Sequence, residues 1–315
     1  MYKDKKAPTI LVIGSFMMDM VVRTPHAPRE GETVIGTSFE RFPGGKGANQ
    51  AVASARLGGN VIMAGKVGMD DYGDEFINIL NKENINTQFI LQDSKYVTGI
   101  GSIILEENGR NRIIVVPGAN LQYSTKNVED IKIVIQKADI ILTQLEMDLM
   151  ITKKVINLAH EYNIPIILNP APARELSDTL LKKVSYITPN ESEAQFLTGI
   201  KVKNLDSAKK ASNLLLKKGC KNVILTLGEQ GVLITNHFGY SFIQGYRVKT
   251  IDTVAAGDAF NGALAVQIAS GTKLIKASEY ANAVGALTVT KKGAIPSLPS
   301  VEDVKVFLSQ NKIEN

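Results

Sequence analysis

Cysteine occurs once in the 315 residues, at Cys220. A single thiol excludes an internal disulfide framework and any cysteine-based zinc site, and it fits a reducing compartment. No stretch reaches the ~18 consecutive apolar residues that a membrane helix needs. The opening MYKDKKAPTILVIGSFMMDMVV has a basic region before an apolar one, but Gly14 and Asp19 interrupt it and no small-residue cleavage site is evident. It reads as a first core strand, not a signal peptide, and the expected compartment is the cytoplasm. The phosphate loop G-x-x-x-x-G-K-[ST] is missing throughout. The first strand also lacks G-x-G-x-x-G, because Gly14 is followed by Ser15-Phe16-Met17-Met18-Asp19, which argues against a dinucleotide-binding dehydrogenase.

Hydrophobic residues make up 44% of the chain, enough to bury a large core. Lys and Arg outnumber Asp and Glu by 36 to 31. The excess is spread as lysine pairs at 153, 182, 209, 217 and 291, a pattern of solvated helix faces. The same mild surplus suits a polyanionic nucleotide, so charge alone selects no partner; neither nucleic acid nor a membrane is expected.

Short β-branched runs at Thr9 to Ile13, Ile140 to Leu142, Ile164 to Leu168, Tyr186 to Thr188 and Val223 to Leu227 alternate with amphipathic stretches. Asn127 to Lys137, Thr152 to Tyr162 and Ser207 to Lys218 carry apolar residues at helical spacing. This alternation predicts a mostly parallel sheet covered by helices on both faces. Two regions, about 20–43 and 96–117, read instead as strand pairs, the second turning at Glu107-Asn108-Gly109-Arg110. A small sheet placed at the C-terminal edge of a parallel sheet can act as a lid, or serve only as a hairpin or a dimer contact.

The richest segment is Asp252-Thr253-Val254-Ala255-Ala256-Gly257-Asp258-Ala259-Phe260-Asn261-Gly262. It follows a strand-like Tyr246 to Thr250 and opens a helix near Gly257. Small residues at a helix N-terminus leave N–H groups free for a phosphate. Asp258 beside them can take a proton from an attacking hydroxyl, or it can merely cap the helix.

A second glycine-rich turn, Gly44-Gly45-Lys46-Gly47-Ala48-Asn49-Gln50, also feeds a helix and places Lys46 and Asn49 at its rim. Asp19 and Glu146 each follow a strand, so both carboxylates fall at the C-terminal edge, where with Asn49 they can grip sugar hydroxyls. Asn190 and Glu193 open another helix; they can organise Mg²⁺ waters and phosphates, or form an ordinary N-cap with its acid. The turn Gly228 to Gly231 says only that glycine is needed there.

Together GGKGANQAVA and DTVAAGDAFNGAL resemble the two signature segments of the PfkB family of carbohydrate kinases. NPAPARE, TPNESEA, TLGEQG and KKGAIPS resemble its ribokinase branch, and the six segments run in order from residue 10 to 300. The resemblance implies a single domain with a three-layer αβα ribokinase-like fold and a β-sheet lid. It implies ATP-dependent phosphorylation of D-ribose at O5, giving ribose 5-phosphate for ribose catabolism, with Mg²⁺ and an activating monovalent cation, K⁺. The sugar contacts it implies are Asp19, Gly45, Lys46, Asn49 and Glu146, with Asp258 as base and Ala255, Ala256 and Gly257 completing an anion hole. Nucleotide contacts fall on Asn190, Glu193, Thr226, Gly228, Gly231, Gly257 and Asn282. The cation would lie among Asp252, Val254, Thr288, Lys291, Gly293 and Ser297, held mainly by backbone oxygens.

One departure stands out: Met17 occupies a position where many relatives carry Asn, which removes a sugar hydrogen bond. Sibling kinases acting on fructose, a nucleoside or another sugar are the competing readings. A sugar-binding protein without catalysis has no use for Asp258 at an anion site. A homodimer joined through the lid is also implied, and Val21, Val22, Val34, Ile35, Phe39 and Phe42 supply the apolar residues for it.

Overall fold

Thr9–Ile13, apolar along its whole length and almost entirely buried, forms strand β1 in the interior of the main sheet. Ile10 and Val12 enter one core layer and Leu11 and Ile13 the other, as a strand covered on both faces requires. The computed structural model describes residues 6–311.

The strands that follow are β2 (Met17–Thr24), β3 (Ser38–Gly44), β4 (Asn60–Gly68), β5 (Asn86–Asp93), β6 (Gly99–Glu106) and β7 (Asn111–Val116). After them come β8 (Ile140–Thr143), β9 (Ile166–Leu168), β10 (Tyr186–Ile187), β11 (Asn222–Thr226), β12 (Gly231–Asn236) and β13 (Gly239–Gln244). Nine make the main sheet, in the order β13-β12-β11-β10-β9-β8-β1-β4-β5. Its pairings are parallel from β5 through β11 and antiparallel where β12 and β13 add a hairpin. The other four form a small sheet, β3-β2-β6-β7, in which only β2 and β6 run parallel.

The described helices are α1 (Lys46–Arg56), α2 (Asp71–Lys82), α3 (Thr125–Asp130), α4 (Lys132–Lys137), α5 (Leu149–Glu161) and α6 (Asp178–Leu181). They continue with α7 (Glu191–Thr198), α8 (Leu205–Lys217), α9 (Ala256–Ala269), α10 (Leu274–Thr288) and α11 (Val301–Gln310). Residues of α1, α2, α9, α10 and α11 pack into one core, and those of α3 to α6 with part of α8 into the other. This is the three-layer α/β architecture with a second, smaller sheet that the alternating pattern predicts.

Two local expectations need correction. The segment Asn127 to Lys137 is two helices, broken at Ile131, which leaves helical geometry at φ −102°, ψ 11°. Tyr246 to Thr250 is not a strand. It lies beyond the edge strand β13; Asn282 Nδ2 donates to Gln244 O, and the Tyr246 ring turns against Phe307. Of the apolar residues expected on the small sheet, Val21, Val34 and Phe42 are half-buried, Phe42 beside Gly293 with Lys292 over its ring, while Val22, Ile35 and Phe39 are exposed.

Candidate functional site

The turn from β3 into α1 is pressed against the connection between β1 and β2. Gly45 has φ 86°, and a Cβ there would come within 2.6 Å of Met17 N, so only glycine lets the backbones approach. The start of α1 is fixed by Glu146, whose Oε2 accepts from Lys46 N at 2.9 Å and from the Ser15 hydroxyl. Lys46 Nζ stands 4.0 Å from Glu146 Oε1.

Asp19 lies on β2 of the small sheet, two residues from Met17 and therefore on the same face. Burial, with the negative charge of Glu146, pushes the Asp19 carboxyl up to about 6, against the opposing pull of Lys46. Burial works to lower Lys46, yet Asp258, Glu146, Glu193 and Asp19 together hold its ammonium above the usual lysine range. Lys46 thus sits at the centre of four carboxylates.

Asp258 lies in the first turn of α9 and is buried. Its Oδ2 accepts from Asn49 Nδ2 at 2.9 Å and its Oδ1 from Gln50 Nε2 at 2.9 Å. Burial raises its proton affinity, while Lys46 and these two amides favour the ionised form. Asn49 Oδ1 is buried with no partner, an acceptor aimed at no protein donor. Gln50 is a site residue that local pattern does not single out.

Ahead of Asp258 the chain turns through Ala255, which has the left-handed φ of 62° and lends no side-chain cap to the helix. Ala256 N, the first amide of α9, makes only a long 3.4 Å bond to Thr253 O, and the amides of Gly257 and Asp258 that follow lie in the turn where a helix supplies no internal acceptor. A Cβ on Gly257 would meet nothing within 4 Å, so open space lies before them. That space belongs to a cavity of about 910 Å³ lined by Asn190, Thr226, Gly228, Gly231, Gly257 and Asn282, among others. Arg247, Val248 and Gly285 line it too and were not expected from the sequence; the small residues around Gly285 are the one legible hint.

Glu193 is not on that wall. It forms a capping box with Asn190, each side chain taking the other's backbone N–H at 2.9 Å. Burial raises the Glu193 carboxyl, with Asn190 N–H and Lys46 opposing.

The two loops bearing Asp252 and Gly293 do meet. Asp252 Oδ2 accepts from Gly293 N at 2.9 Å and Oδ1 from Val254 N at 3.0 Å. Thr288 ends α10 and its carbonyl accepts from Lys291 N, while Ser297 is buried with its hydroxyl on Ala294 O. Among the described residues no cluster of three His, Cys, Asp or Glu side chains could hold a metal, and no helix is long and apolar enough to cross a membrane.

Gly257 therefore lines a large cavity while the side chain of its neighbour Asp258 is bonded to Asn49 and Gln50 of α1, so the helix N-terminus joins the cavity to the glycine-rich turn. The ribokinase of Arabidopsis thaliana solved with ribose and ATP superposes with a TM-score of 0.91 at 29% identity, covering 96% of this chain and 99% of that one. The ribokinase of Haemophilus influenzae is 38% identical over 300 residues, 95% of this chain and 98% of its own length. The deoxyribokinase of Salmonella typhi is 36% identical over 304 residues, 96% and 99% respectively. The pfkB family carbohydrate kinase model matches residues 7–301, nearly the whole chain, and the chain belongs to that family.

Proposed function

We propose that this protein transfers the γ-phosphoryl group of ATP to the O5 hydroxyl of D-ribose, giving ribose 5-phosphate, with Asp258 as general base. The observation that carries it is the adjacency of Gly257 and Asp258, one lining the cavity and the other bonded to Asn49 on the far side. Asp258 accepts the hydroxyl proton as the oxygen attacks phosphorus, and its raised proton affinity suits that task. The backbone amides of Ala255, Ala256 and Gly257, of which Ala256 N makes only a long bond to Thr253 O, stabilise charge on the transferring group.

On the acceptor side, Asp19 and Glu146 offer carboxylate oxygens, Lys46 an ammonium and Asn49 its unpartnered Oδ1 to sugar hydroxyls. Asn190, Thr226, Gly228, Gly231 and Asn282 hold the nucleotide. Mg²⁺ bound with the ATP phosphates would neutralise their charge; Glu193 would bear on it only through the local field, since its oxygens serve the capping box. K⁺ would be held mainly by backbone oxygens of Asp252, Val254, Thr288, Lys291, Gly293 and Ser297, on two loops that Asp252 already joins, and would fix the backbone leading into the anion hole. The enzyme works in the cytoplasm as one catalytic domain and as a homodimer through the lid. Val22 and Phe39 there are exposed, as is the whole of β7 from Ile113 to Val116.

A second reading, 2-deoxyribose as acceptor, is favoured by Met17. Its thioether shares the Asp19 face and offers no hydrogen bond to a hydroxyl, and relatives named deoxyribokinase align over almost the whole chain. Coupled ADP-release assays with ribose, 2-deoxyribose, fructose and adenosine test both readings. A pentose should give the highest kcat/KM; preference for fructose or adenosine would overturn the proposal.

A further inference from the structure

Gln50 is fully buried, and both of its amide hydrogens and its oxygen are hydrogen-bonded. One Nε2 hydrogen goes to Asp258 Oδ1 at 2.9 Å and the other to Asn169 Oδ1 at 3.1 Å. Its Oε1 accepts from Gln144 Nε2. A flipped Gln50 amide would set its oxygen against the Asp258 carboxylate and the Asn169 oxygen, so Gln144 fixes which end faces the acid. Gly14 makes room for Gln144, since a Cβ there would lie 2.2 Å from Gln144 Oε1.

The chain of bonds then returns to its origin. Asn169 Nδ2 donates to Thr188 O at 3.3 Å, and Thr188 Oγ1 donates to Asn261 Oδ1 at 2.7 Å. Asn261 Nδ2 donates to Gly257 O at 2.8 Å, the carbonyl joined to Asp258 itself. Strand ends of β8, β9 and β10 are thereby tied to both the carboxylate and the first turn of α9. Every side chain in it is buried, where a satisfied polar network is rigid and a broken one is costly.

We infer that Gln50 is a positioning residue for the phosphoryl-transfer reaction: its amide holds Asp258 ionised and in one orientation, with a lone pair left for the acceptor hydroxyl. Of the charged groups around Asp258, Lys46 favours its ionised form, whereas Glu146 from the end of β8 and Glu193 from α7 oppose it. Asp19 acts on the same cluster through Lys46 and Glu146. With three carboxylates nearby, the neutral donors Asn49 and Gln50 are needed beside the single lysine. A charge-assisted hydrogen bond of this kind shifts a carboxyl by about one pH unit.

The test is the pH dependence of kcat for Gln50→Met, which keeps the side-chain length and removes the donor. Its acid limb should move up by about one pH unit, and kcat on the plateau should fall about 10- to 100-fold with KM for ATP unchanged. Gln50→Glu should move the limb further, because two adjacent carboxylates share a proton. If Gln50→Met does not fold, Gln144→Met takes its place, with a smaller shift in the same direction.

An acid limb that stays at the wild-type position in a folded variant would overturn the inference, whatever happens to yield or melting temperature. The inference rests on Asp258 as base, and the two fail differently. A fully active Asp258→Asn removes the base itself, whereas an inactive Asp258→Asn with an unmoved limb in Gln50→Met removes only the role of Gln50.

Discussion

Asn49 Nδ2 donates to Asp258 Oδ2 at 2.9 Å, joining the first turn of α1 to the first turn of α9 across 209 residues of sequence. The same amide leaves its oxygen buried and unpartnered. A ligand hydroxyl donating to it would recover the cost of leaving such an acceptor unpaired. Replacing Asn49 with Ala should therefore lower kcat/KM for the sugar about 10- to 100-fold and leave KM for ATP nearly unchanged. Steady-state kinetics with each substrate varied in turn checks this, and equal effects on both substrates would count against it.

Asp19 brings a pH dependence. Its carboxyl titrates near 6 in the folded protein against 3.8 ordinarily. The stability it contributes is present below about pH 3.8 and lost as pH rises through 6, because the folded state then holds a buried charge. Without ligand, Asp19→Asn should melt higher than wild type at pH 7.5, with the gap closing toward pH 4. The wild-type KM for the sugar should rise as pH falls below 6, since the protonated acid is a poorer acceptor, and the Asn variant should lose that dependence.

Met17 separates the two pentose readings. Met17→Asn restores a polar group on the face that Asp19 shares. The ratio of kcat/KM for ribose over 2-deoxyribose should rise about tenfold, the worth of one hydrogen bond to a hydroxyl. A change confined to KM for ATP would place Met17 away from the sugar.

Five strands of the main sheet, β1 and β8 to β11, were legible because a strand buried on both faces reads as an unbroken apolar run, as in Thr9–Ile13 and Ile140–Thr143, whereas β4, β5 and the β12–β13 hairpin were not read. The break at Ile131 and the coil after Gln244 were not, for neither leaves a local mark. Tyr246 to Thr250 alternates like a strand but runs past the sheet edge, where tertiary contacts decide. Asp258, Asn49 and Lys46 announced themselves through glycine-rich helix starts. Gln50 did not, since its partners stand at 144, 169 and 258 and only the fold brings them together. The apolar exposure of β7 was likewise missed beside the better-marked Phe39.

A monovalent cation should activate the enzyme. Asp252 already ties the two loops through the amides of Val254 and Gly293, so the frame of the site exists in the protein's own bonds. Replacing sodium with potassium at constant ionic strength should raise kcat, and Asp252→Ala should abolish the response. Equal rates in sodium, potassium and a bulky organic cation would show that the loops need no ion.

The most direct measurement is ADP release by Asp258→Asn with ATP and ribose, alongside calorimetric titration of each ligand. The amide preserves the shape of the carboxyl but cannot take the proton, so kcat should fall at least ~10²-fold while nucleotide and ribose still bind. A variant that turns over at close to the wild-type rate would reduce Asp258 to a helix-terminal residue and contradict its role as the base.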